Sequence, residues 1–180
     1  MYYTQYTTQN RHTWEQNLIN CYKAVFTAAP WNEDWWTDDL VKEVLDRYAG
    51  ENARIILAIE DDQVVGFSWG AVWTTAELND ELGLSLPITK TNTLGYIKDI
   101  GVTAAYRQQG IAQTLLRELL CVLQQSCTQD EWFYARTLAF HEPSIVYSWF
   151  PKLGFTHIAQ YPQDSPRAGQ VILGCQFRSL

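Results

Sequence analysis

The chain has 180 residues, the length of a single domain, and a composition of 47% hydrophobic and 18% charged residues, which is typical of a globular protein rather than a disordered one. Its 13 basic and 20 acidic residues leave a formal net charge of −7, which argues against nucleic acid as a partner because phosphate backbones require clustered Lys and Arg. The longest apolar stretches fall far short of the ~20 residues that cross a bilayer, so no membrane partner is expected.

The start of the chain and its cysteines favour a cytoplasmic protein. No basic segment precedes an apolar stretch near Met1, so no targeting peptide is expected. The cysteines form no CxxC pair and no cluster with histidine, which predicts reduced, mostly buried thiols rather than a disulfide frame or a zinc site, and no bound metal. They are Cys21, Cys121, Cys127 and Cys175.

Apolar residues at three- and four-residue steps predict two helices near the start of the chain. The first covers about Arg11 to Phe26 and is ended by Pro30. The second begins at Thr37, whose hydroxyl can cap the free amides of the first turn, and it stops at Gly50.

The pattern then changes to that of strands. Apolar runs from Ile55 to Ile59 and from Val64 to Trp73 predict an antiparallel hairpin, in which Gly66 and Gly70 indicate a bulge or a close backbone approach. The connection from Thr75 to Thr93 is long enough to be functional or partly helical.

The second half of the chain alternates strands with helices. A strand from Leu94 to Val102 leads into an amphipathic helix from about Gly110 to Gln125. The remaining predicted elements are a strand at Trp132 to Thr137, a short helix at about Pro143 to Phe150, and strands at about Phe155 to Tyr161 and Val171 to Phe177. This order predicts an α/β fold in one domain, with a mixed sheet covered by helices on both faces.

The turn between the Leu94 strand and its helix carries the candidate chemistry. Backbone amides in and before the first helical turn have no helical partner and share the positive end of the helix dipole, an arrangement that receives a pyrophosphate. Gly110 has no side chain to hold phosphates away, and Arg107 adds a permanent charge, although an ordinary strand-to-helix connection would have the same pattern. The candidate residues are Arg107, Gln108, Gln109, Gly110, Ile111, Ala112 and Gln113.

This segment resembles the acetyl-CoA-binding signature of the GNAT acyltransferase superfamily, [QR]-x-x-G-x-[GA], which Arg107, Gly110 and Ala112 match. Lys152 to Phe155 looks like the KLGF sequence that ends the family's fourth helix. The hairpin turn from Glu60 to Phe67 is similar to the family's second and third strands. Together with the order of elements, the resemblance extends over nearly the whole chain.

The resemblance implies a mostly antiparallel sheet whose parallel fourth and fifth strands splay apart. Acetyl-CoA is then the expected cosubstrate, with its pantetheine arm pairing with the backbone of Ile100, Gly101 and Val102. The implied reaction moves the acetyl group from the thioester to an amine, and a backbone amide near Val102 stabilises the developing oxyanion. Edge strands near the C-terminus permit a homodimer without requiring one.

Asp99 is the expected general base, because an amine with a pKa near ~10.4 must lose a proton before it attacks. A carboxylate in an otherwise apolar strand is costly unless it is paired or faces a cleft. The strand is similar to that of polyamine-type GNAT enzymes, which have a carboxylate where this chain has Lys98. Pairing of Asp99 with Lys98, or binding of a cationic acceptor by Asp99, therefore stays open, and His141 is an alternative base.

The family commonly has a proton-donating tyrosine four residues before the Gly of LGF, and this chain has Phe150 there. Tyr147 lies three residues earlier, on nearly the same helical face, and is the expected general acid. Packing of Tyr147, or thiolate release without a side-chain donor, is the alternative. Tyr134 either faces the cleft or lies in the core.

The connection after the first helix holds the expected acceptor wall. Trp31, Glu33 and Trp35 interleave aromatic and acidic side chains, which suits a small cationic amine or a Lys or N-terminal amine, and Trp69 and Trp73 are expected to join them. The alternative is that these tryptophans cap the core. A catalytically silent module that binds acyl-CoA is the competing function, because the usual tyrosine is missing.

Overall fold

The computed structural model describes residues 1–29, 31–48, 52–86, 93–126, 132–138 and 150–176. Its strands and helices, in chain order, are β1 (Tyr2–Tyr6), α1 (Arg11–Thr27), α2 (Asp38–Tyr48), β2 (Ala53–Glu60), β3 (Gln63–Trp73), α3 (Thr75–Leu82), β4 (Leu94–Val102), α4 (Ile111–Gln124), β5 (Trp132–Leu138), β6 (Thr156–Gln160) and β7 (Gln170–Gln176). The strands form a seven-stranded sheet in the order β1-β2-β3-β4-β5-β7-β6. Strands β4 and β5 pair in parallel, whereas β2 pairs antiparallel with β1 and β3, and β7 with β5 and β6. The predicted mixed α/β sheet is therefore confirmed.

Two elements lie where the sequence analysis placed none or only part of one. Strand β1 pairs with β2 from Tyr2 opposite Ile59 to Tyr6 opposite Ile55, at the edge of the sheet. Helix α3 occupies the first part of the long connection, and Thr74 and Glu77 form a capping box at its start. The predicted helix from Pro143 lies within residues 139–149, outside the described part of the chain, and Phe150–Leu153 form a short 3-10 turn.

The chain divides into two compact units. The first comprises Met1–Ala71 and Asp99–Leu123. Within it, the Phe67 ring stacks on the Tyr22 ring of α1, and the neighbouring Ser68 hydroxyl donates to the Leu115 carbonyl of α4 at 2.9 Å. Because successive side chains of a strand point to opposite faces, α1 and α4 cover the two faces of the sheet in this unit.

Close backbone approach explains the glycine predicted to mark a bulge in β3. A Cβ on Gly66 would lie 3.0 Å from the Gly101 carbonyl oxygen of β4. The register between β2 and β3 shifts at the same place, where Ala58 pairs with Gly66 and Ile59 pairs with Val64. The bulge and the close approach thus occur together at this position.

The second unit comprises Val72–Lys98 and Gln124–Leu180. The first half of β4 pairs with β5 here, from Gly95 opposite Phe133 to Ile97 opposite Ala135. Leucines of α3 share a buried cluster with strand residues of this unit, and the cluster includes Leu78, Leu82, Leu94, Tyr96, Tyr134, Tyr161 and Ile172. The expected splay of β4 and β5 beyond Ile97 stays a prediction.

The cysteines only partly follow the sequence prediction. Cys21 is buried and free, and burial raises the pKa of its thiol to about 12. Burial likewise raises the pKa of Cys175 to about 12, whereas Cys121 is exposed on α4, and Cys127 lies outside the described residues. Among the described residues, no helix has both the length and the apolar character needed to cross a membrane.

Candidate functional site

The turn from β4 to α4 is anchored to the sheet at its first residue. The Thr103 amide and hydroxyl both donate to the Val65 carbonyl, at 2.9 and 3.1 Å. A short 3-10 turn, Ala104–Tyr106, follows, and the Tyr106 amide donates to the Thr103 carbonyl at 2.9 Å. These contacts fix the start of the turn within the first unit.

The amides of the next six residues, 108–113, are free. Within the described residues none of these N–H groups donates to a carbonyl or a side chain, and the intrahelical series resumes when the Thr114 amide donates to the Gly110 carbonyl at 3.1 Å. This is the result expected for the first turn of a helix, whose amides have no carbonyl behind them. Six adjacent donors thus lie at the positive end of the α4 dipole, an arrangement that suits an anion.

Two residues of this amide cradle (residues 108–113) have a left-handed backbone conformation. Gln108 has φ +64° and Gly110 has φ +78°. A Cβ on Gly110 would have no atom within 4 Å, so glycine is required here by the backbone conformation, and the space in front of it is open. Ile111 is buried and holds α4 on the core, whereas Gln109 and Gln113 are exposed and Ala112 is half-buried.

Arg107 clamps the turn rather than simply adding charge in front of it. Its Nε donates to the Val102 carbonyl at 3.1 Å, and its Nη1 donates to the Ala29 carbonyl, also at 3.1 Å. The guanidinium thus joins the end of β4 to the segment that follows α1. This positioning role was not predicted, because the second carbonyl belongs to a residue 78 positions away in the chain.

We expect Arg107→Met to lower the free energy of unfolding by about 1–2 kcal/mol, because two charge-assisted hydrogen bonds at a partly exposed site are lost. Urea unfolding without ligand measures the change. Arg117→Met, at an exposed position of α4, is the control and should change the unfolding free energy by less than about 0.5 kcal/mol. Equal effects of the two substitutions would contradict the clamp.

Asp99 lies on the face of β4 that α1 covers. The Tyr22 hydroxyl donates to Asp99 Oδ2 at 3.3 Å, in a half-buried environment. On the same face, a Cβ on Gly101 would come within 2.8 Å of Phe67 and Val25, so the strand packs closely against its neighbours there. Sequence reasoning missed the contact with Tyr22, because the two residues lie 77 positions apart in the chain.

Lys98, considered above as a partner of Asp99, forms an ion pair with an acidic residue of α3. Its Nζ lies 2.9 Å from Glu81 Oε1 of α3, in the second unit. The three roles considered for Asp99, a base, a partner of Lys98 and a ligand of a cationic acceptor, therefore all stay predictions. The general acid candidate Tyr147 and the alternative base His141 both lie outside the described residues.

The expected acceptor wall is partly a cap on the core. Trp31 packs against Phe26, with ring centroids 5.7 Å apart, whereas Trp35 is 58% exposed. Glu33 is fixed by a residue that was not singled out, since the Trp36 indole Nε1 donates to Glu33 Oε2 at 2.7 Å. The Trp36 ring in turn meets the Tyr22 ring edge-on at 5.1 Å. Contacts therefore run from Glu33 to Tyr22, the residue that bonds Asp99.

Three aromatic residues considered for the cleft lie in cores. Trp69 is buried in the core cluster of the first unit, so the expectation that it joins the acceptor wall is wrong. Trp73 stacks on Tyr96 in the second unit, with ring centroids 5.1 Å apart. Tyr134 is buried, and desolvation raises the pKa of its phenol to about 12. Phe150 is also buried, edge-on to Phe155, and has no proton to donate.

Comparison with known families decides the identity of the chain. The sequence model of the Acetyltransferase (GNAT) family matches residues 13–155, most of the chain. The chain belongs to the GNAT family. It is therefore an acetyltransferase, as the signature around Gly110 predicted. Compared by sequence with curated proteins, the chain has no match.

Solved structures of GNAT acetyltransferases share the fold at low sequence identity. Ribosomal-protein-alanine N-acetyltransferase from Brucella melitensis has a TM-score of 0.69 at 17% identity, covering 98% of this chain and 100% of its own. NAA60 of Arabidopsis thaliana, solved with acetyl-CoA, has a TM-score of 0.68 at 15% identity, and the match covers 98% of each chain. An aminoglycoside 6'-N-acetyltransferase from Acinetobacter haemolyticus has a TM-score of 0.61 at 20% identity, and the match covers 92% of this chain and 97% of its own. The first and the third are named for different acceptors, a ribosomal-protein alanine and an aminoglycoside, so the shared fold leaves the acceptor of this GNAT chain open.

Metal ligands are not grouped in the part of the chain that the structure describes. No set of three or more His, Cys, Asp or Glu side chains among those residues is arranged to hold an ion. The functional residues that the structure does bring together in one unit are the amide cradle, Arg107, and the contacts leading from Glu33 to Asp99.

Proposed function

We propose that this chain, acting as a single domain over residues 1–180, transfers an acetyl group from acetyl-CoA to an amine that attacks the thioester directly. The observation that carries the proposal is the row of six free backbone amides at 108–113. A chain with a net charge of −7 needs a compact donor site if it is to hold a doubly charged pyrophosphate, and main-chain amides at a helix start supply one.

The cofactor would bind the cradle through its pyrophosphate. Gly110 leaves open space in front of the amides, so phosphate oxygens can reach them without meeting a side chain. The pantetheine arm would run along the backbone of Ile100, Gly101 and Val102, and we propose that an amide near Val102 stabilises the oxyanion. The Arg107 clamp on the Val102 carbonyl supports this arrangement, because it holds the end of β4 in place relative to the turn.

Asp99 would act as the general base. It lies half-buried near the end of β4, and the Tyr22 hydroxyl donates to one of its carboxylate oxygens, which orients the carboxylate. Tyr147 stays the proposed acid for the leaving thiolate. The acyl group moves from sulfur to nitrogen. A cationic amine loses one proton to the base before it attacks and a second as the amide forms, and the leaving thiolate takes up one proton.

The proposed acceptor is a cationic amine, either a small molecule or a Lys or N-terminal amine. Glu33 supplies the charge, and the Trp36 indole holds its carboxylate in one orientation. Exposed Trp35 offers an aromatic face beside it, and a cation is attracted to both groups. Because Glu33 connects through Trp36 and Tyr22 to Asp99, the binding carboxylate and the base belong to one packed set within the first unit.

A panel of amines in a thiol-release assay tests this function. We expect release of CoA with cationic amines, and we expect Glu33→Gln to raise KM for these amines about fivefold to tenfold at low salt, with kcat little changed, since a single charge interaction is lost. Asp34→Asn, which removes an exposed neighbouring charge, is the matched control and should leave KM nearly unchanged. Turnover indifferent to amine charge and to Glu33→Gln would contradict the cationic acceptor.

A catalytically silent acyl-CoA-binding module is the second candidate, because Phe150 occupies the position where the family's tyrosine donates a proton and is buried against Phe155. The same panel separates the two functions. A chain that binds CoA but releases no thiol with any amine is the silent module, whereas release above the spontaneous rate establishes the enzyme.

A further inference from the structure

Arg107 contacts the proposed acceptor side as well as the proposed cofactor side. Its Nε donates to the Val102 carbonyl at the end of β4, and its Nη1 donates to the Ala29 carbonyl after α1, each at 3.1 Å. The resemblance places this arginine on the cofactor side alone. The consequence of the second contact depends on how the backbone continues from Ala29 to Glu33.

The backbone folds into a tight turn between Ala28 and Glu33, which we call the acceptor turn. The amides of Trp31 and Asn32 both donate to the Ala28 carbonyl, at 3.1 and 3.2 Å. The Glu33 amide donates to the Phe26 carbonyl of α1 at 2.9 Å. Asn32 has a φ of +52°, a left-handed conformation that asparagine adopts more readily than most residues. Three hydrogen bonds therefore hold the two ends of the acceptor turn together.

Glu33 is fixed to the acceptor turn through its side chain as well as its backbone. The Trp36 indole Nε1 donates to Glu33 Oε2 at 2.7 Å, and the Trp36 ring packs against Phe26, with centroids 6.1 Å apart. Trp31, within the turn, packs against the same Phe26 ring at 5.7 Å. Because the carboxylate is held in this way, a displacement of the turn would also displace the carboxylate.

The contact from Arg107 joins this turn to the end of β4. The hydrogen bonds within the turn connect it only to α1, whereas the guanidinium reaches across from the Val102 carbonyl to the exposed Ala29. A planar guanidinium presents its donors in a rigid arrangement, so the two carbonyls are held at a defined separation. Such positioning matters for a reaction between two bound groups, since a misplacement of about 1 Å can lower the rate about 100-fold.

We propose that Arg107 is a positioning residue for the acceptor. It holds the acceptor turn, and with it Glu33, where an amine bound by Glu33 can reach a thioester at the end of β4. This inference rests on the proposed function, in which Glu33 binds the ammonium group of the acceptor.

Charge and position predict opposite effects of removing Arg107. A guanidinium repels a cationic amine, so the loss of its charge alone should lower KM for that amine. The loss of positioning should raise KM, because the Glu33 carboxylate is then no longer held in place. A rise in KM therefore reports the position of the acceptor turn and not the local charge.

Arg107→Gln tests the proposal in the full chain. Glutamine is the other residue that the signature accepts at this position, but its single amide nitrogen replaces the two nitrogens that bond Val102 and Ala29. We expect KM for a cationic amine to rise about fivefold at saturating acetyl-CoA, and the Kd for CoA to change less than about twofold. Thiol release measures KM, and calorimetry measures Kd. Arg117→Gln, at an exposed position of α4, is the matched control and should change neither.

Combination with Glu33→Gln tests whether Arg107 acts through Glu33. In the Glu33→Gln background, Arg107→Gln should raise KM less than about twofold, because the carboxylate that it positions is already absent. An unchanged KM in the single variant, or effects of the two substitutions that multiply, overturns the proposal. If Arg107→Gln does not fold, Arg107→Lys, which keeps the charge on one donor nitrogen, takes its place with the same expected directions.

Hydrogen exchange separates failure of this proposal from failure of the proposed function, because it needs no turnover. The amides of Trp31, Asn32 and Glu33 are all bonded within the acceptor turn. Arg107→Gln should speed their exchange about tenfold, and Arg117→Gln should leave it unchanged. Unchanged exchange in Arg107→Gln overturns the proposal, whether or not the chain transfers acetyl groups. If no amine releases thiol, the proposed function fails, and the Kd of the amine from calorimetry replaces KM in the same comparisons.

Discussion

Replacing Asp99 with Asn is expected to lower kcat by roughly 10²-fold or more, because the amine then has no positioned base to take its proton. Asn has the shape of Asp and can still accept the hydrogen bond that the Tyr22 hydroxyl donates at 3.3 Å, so the fold and the CoA affinity should be kept. Steady-state thiol release at saturating acetyl-CoA measures kcat, and calorimetry measures CoA binding. Asp62→Asn, in the exposed β2–β3 turn, is the matched control.

The acceptor series separates the two roles still open for Asp99. If Asp99 only binds the cation, Asp99→Asn should raise KM for charged amines and leave turnover of weakly basic, uncharged amines intact. An uncharged amine does not have to lose a proton before it attacks, but it still releases one when the amide forms. A lower kcat with both charged and uncharged amines would therefore identify Asp99 as the base. An unchanged kcat with every amine would remove Asp99 from the chemistry.

The sequence predicts those elements of the fold that have a clear pattern within their own residues, and it does not predict elements that are set by pairing with a distant segment. The bounds of β4, Leu94–Val102, agree with the prediction because only Lys98 and Asp99 interrupt its apolar residues, which are buried at both ends of the strand. Strand β1 has the sequence YYTQY, in which neither face is clearly apolar, and its place is set by backbone pairing with β2. Helix α3 was predicted only as a helical part of the long connection, without bounds, although its signals were present in the capping box of Thr74 and Glu77 and in Gly83, which ends it.

The candidate site likewise has a part that the sequence predicts and a part that it does not. The free amides of the cradle could be predicted because a strand, a turn and a helix start are local features. The Arg107 clamp and the Tyr22 contact with Asp99 could not, since each joins residues more than 70 positions apart.

The cradle is expected to attract an anion despite the net negative charge of the chain, because it relies on backbone dipoles. These dipoles carry no net charge and cannot be titrated, so the affinity of the cradle for a phosphate should be independent of side-chain protonation near neutral pH. We therefore expect CoA to bind without a pH switch near neutral pH, and we expect the charge of −7 to keep other polyanions away.

Gly110→Ala is expected to raise the Kd for CoA at least about tenfold. Alanine at φ +78° is strained by roughly 1–2 kcal/mol, and the backbone of the cradle can relieve that strain only by turning its amides away from the pyrophosphate. The added methyl group also enters the open space where the phosphates are proposed to lie. Calorimetric titration with CoA measures the Kd, and thermal unfolding measures the strain without ligand.

Gly83→Ala supplies a control with the same strain at a different place. Gly83 ends α3 at φ +64°, and a Cβ there would also have no atom within 4 Å. Both substitutions should lower the melting temperature by a similar amount, about 2–4 °C for each 1 kcal/mol, because both force alanine into the left-handed region. Only Gly110→Ala should weaken CoA binding, since only its amides face the ligand. Equal CoA affinities in the two variants would place the pyrophosphate elsewhere and remove the observation on which the acetyl transfer is proposed.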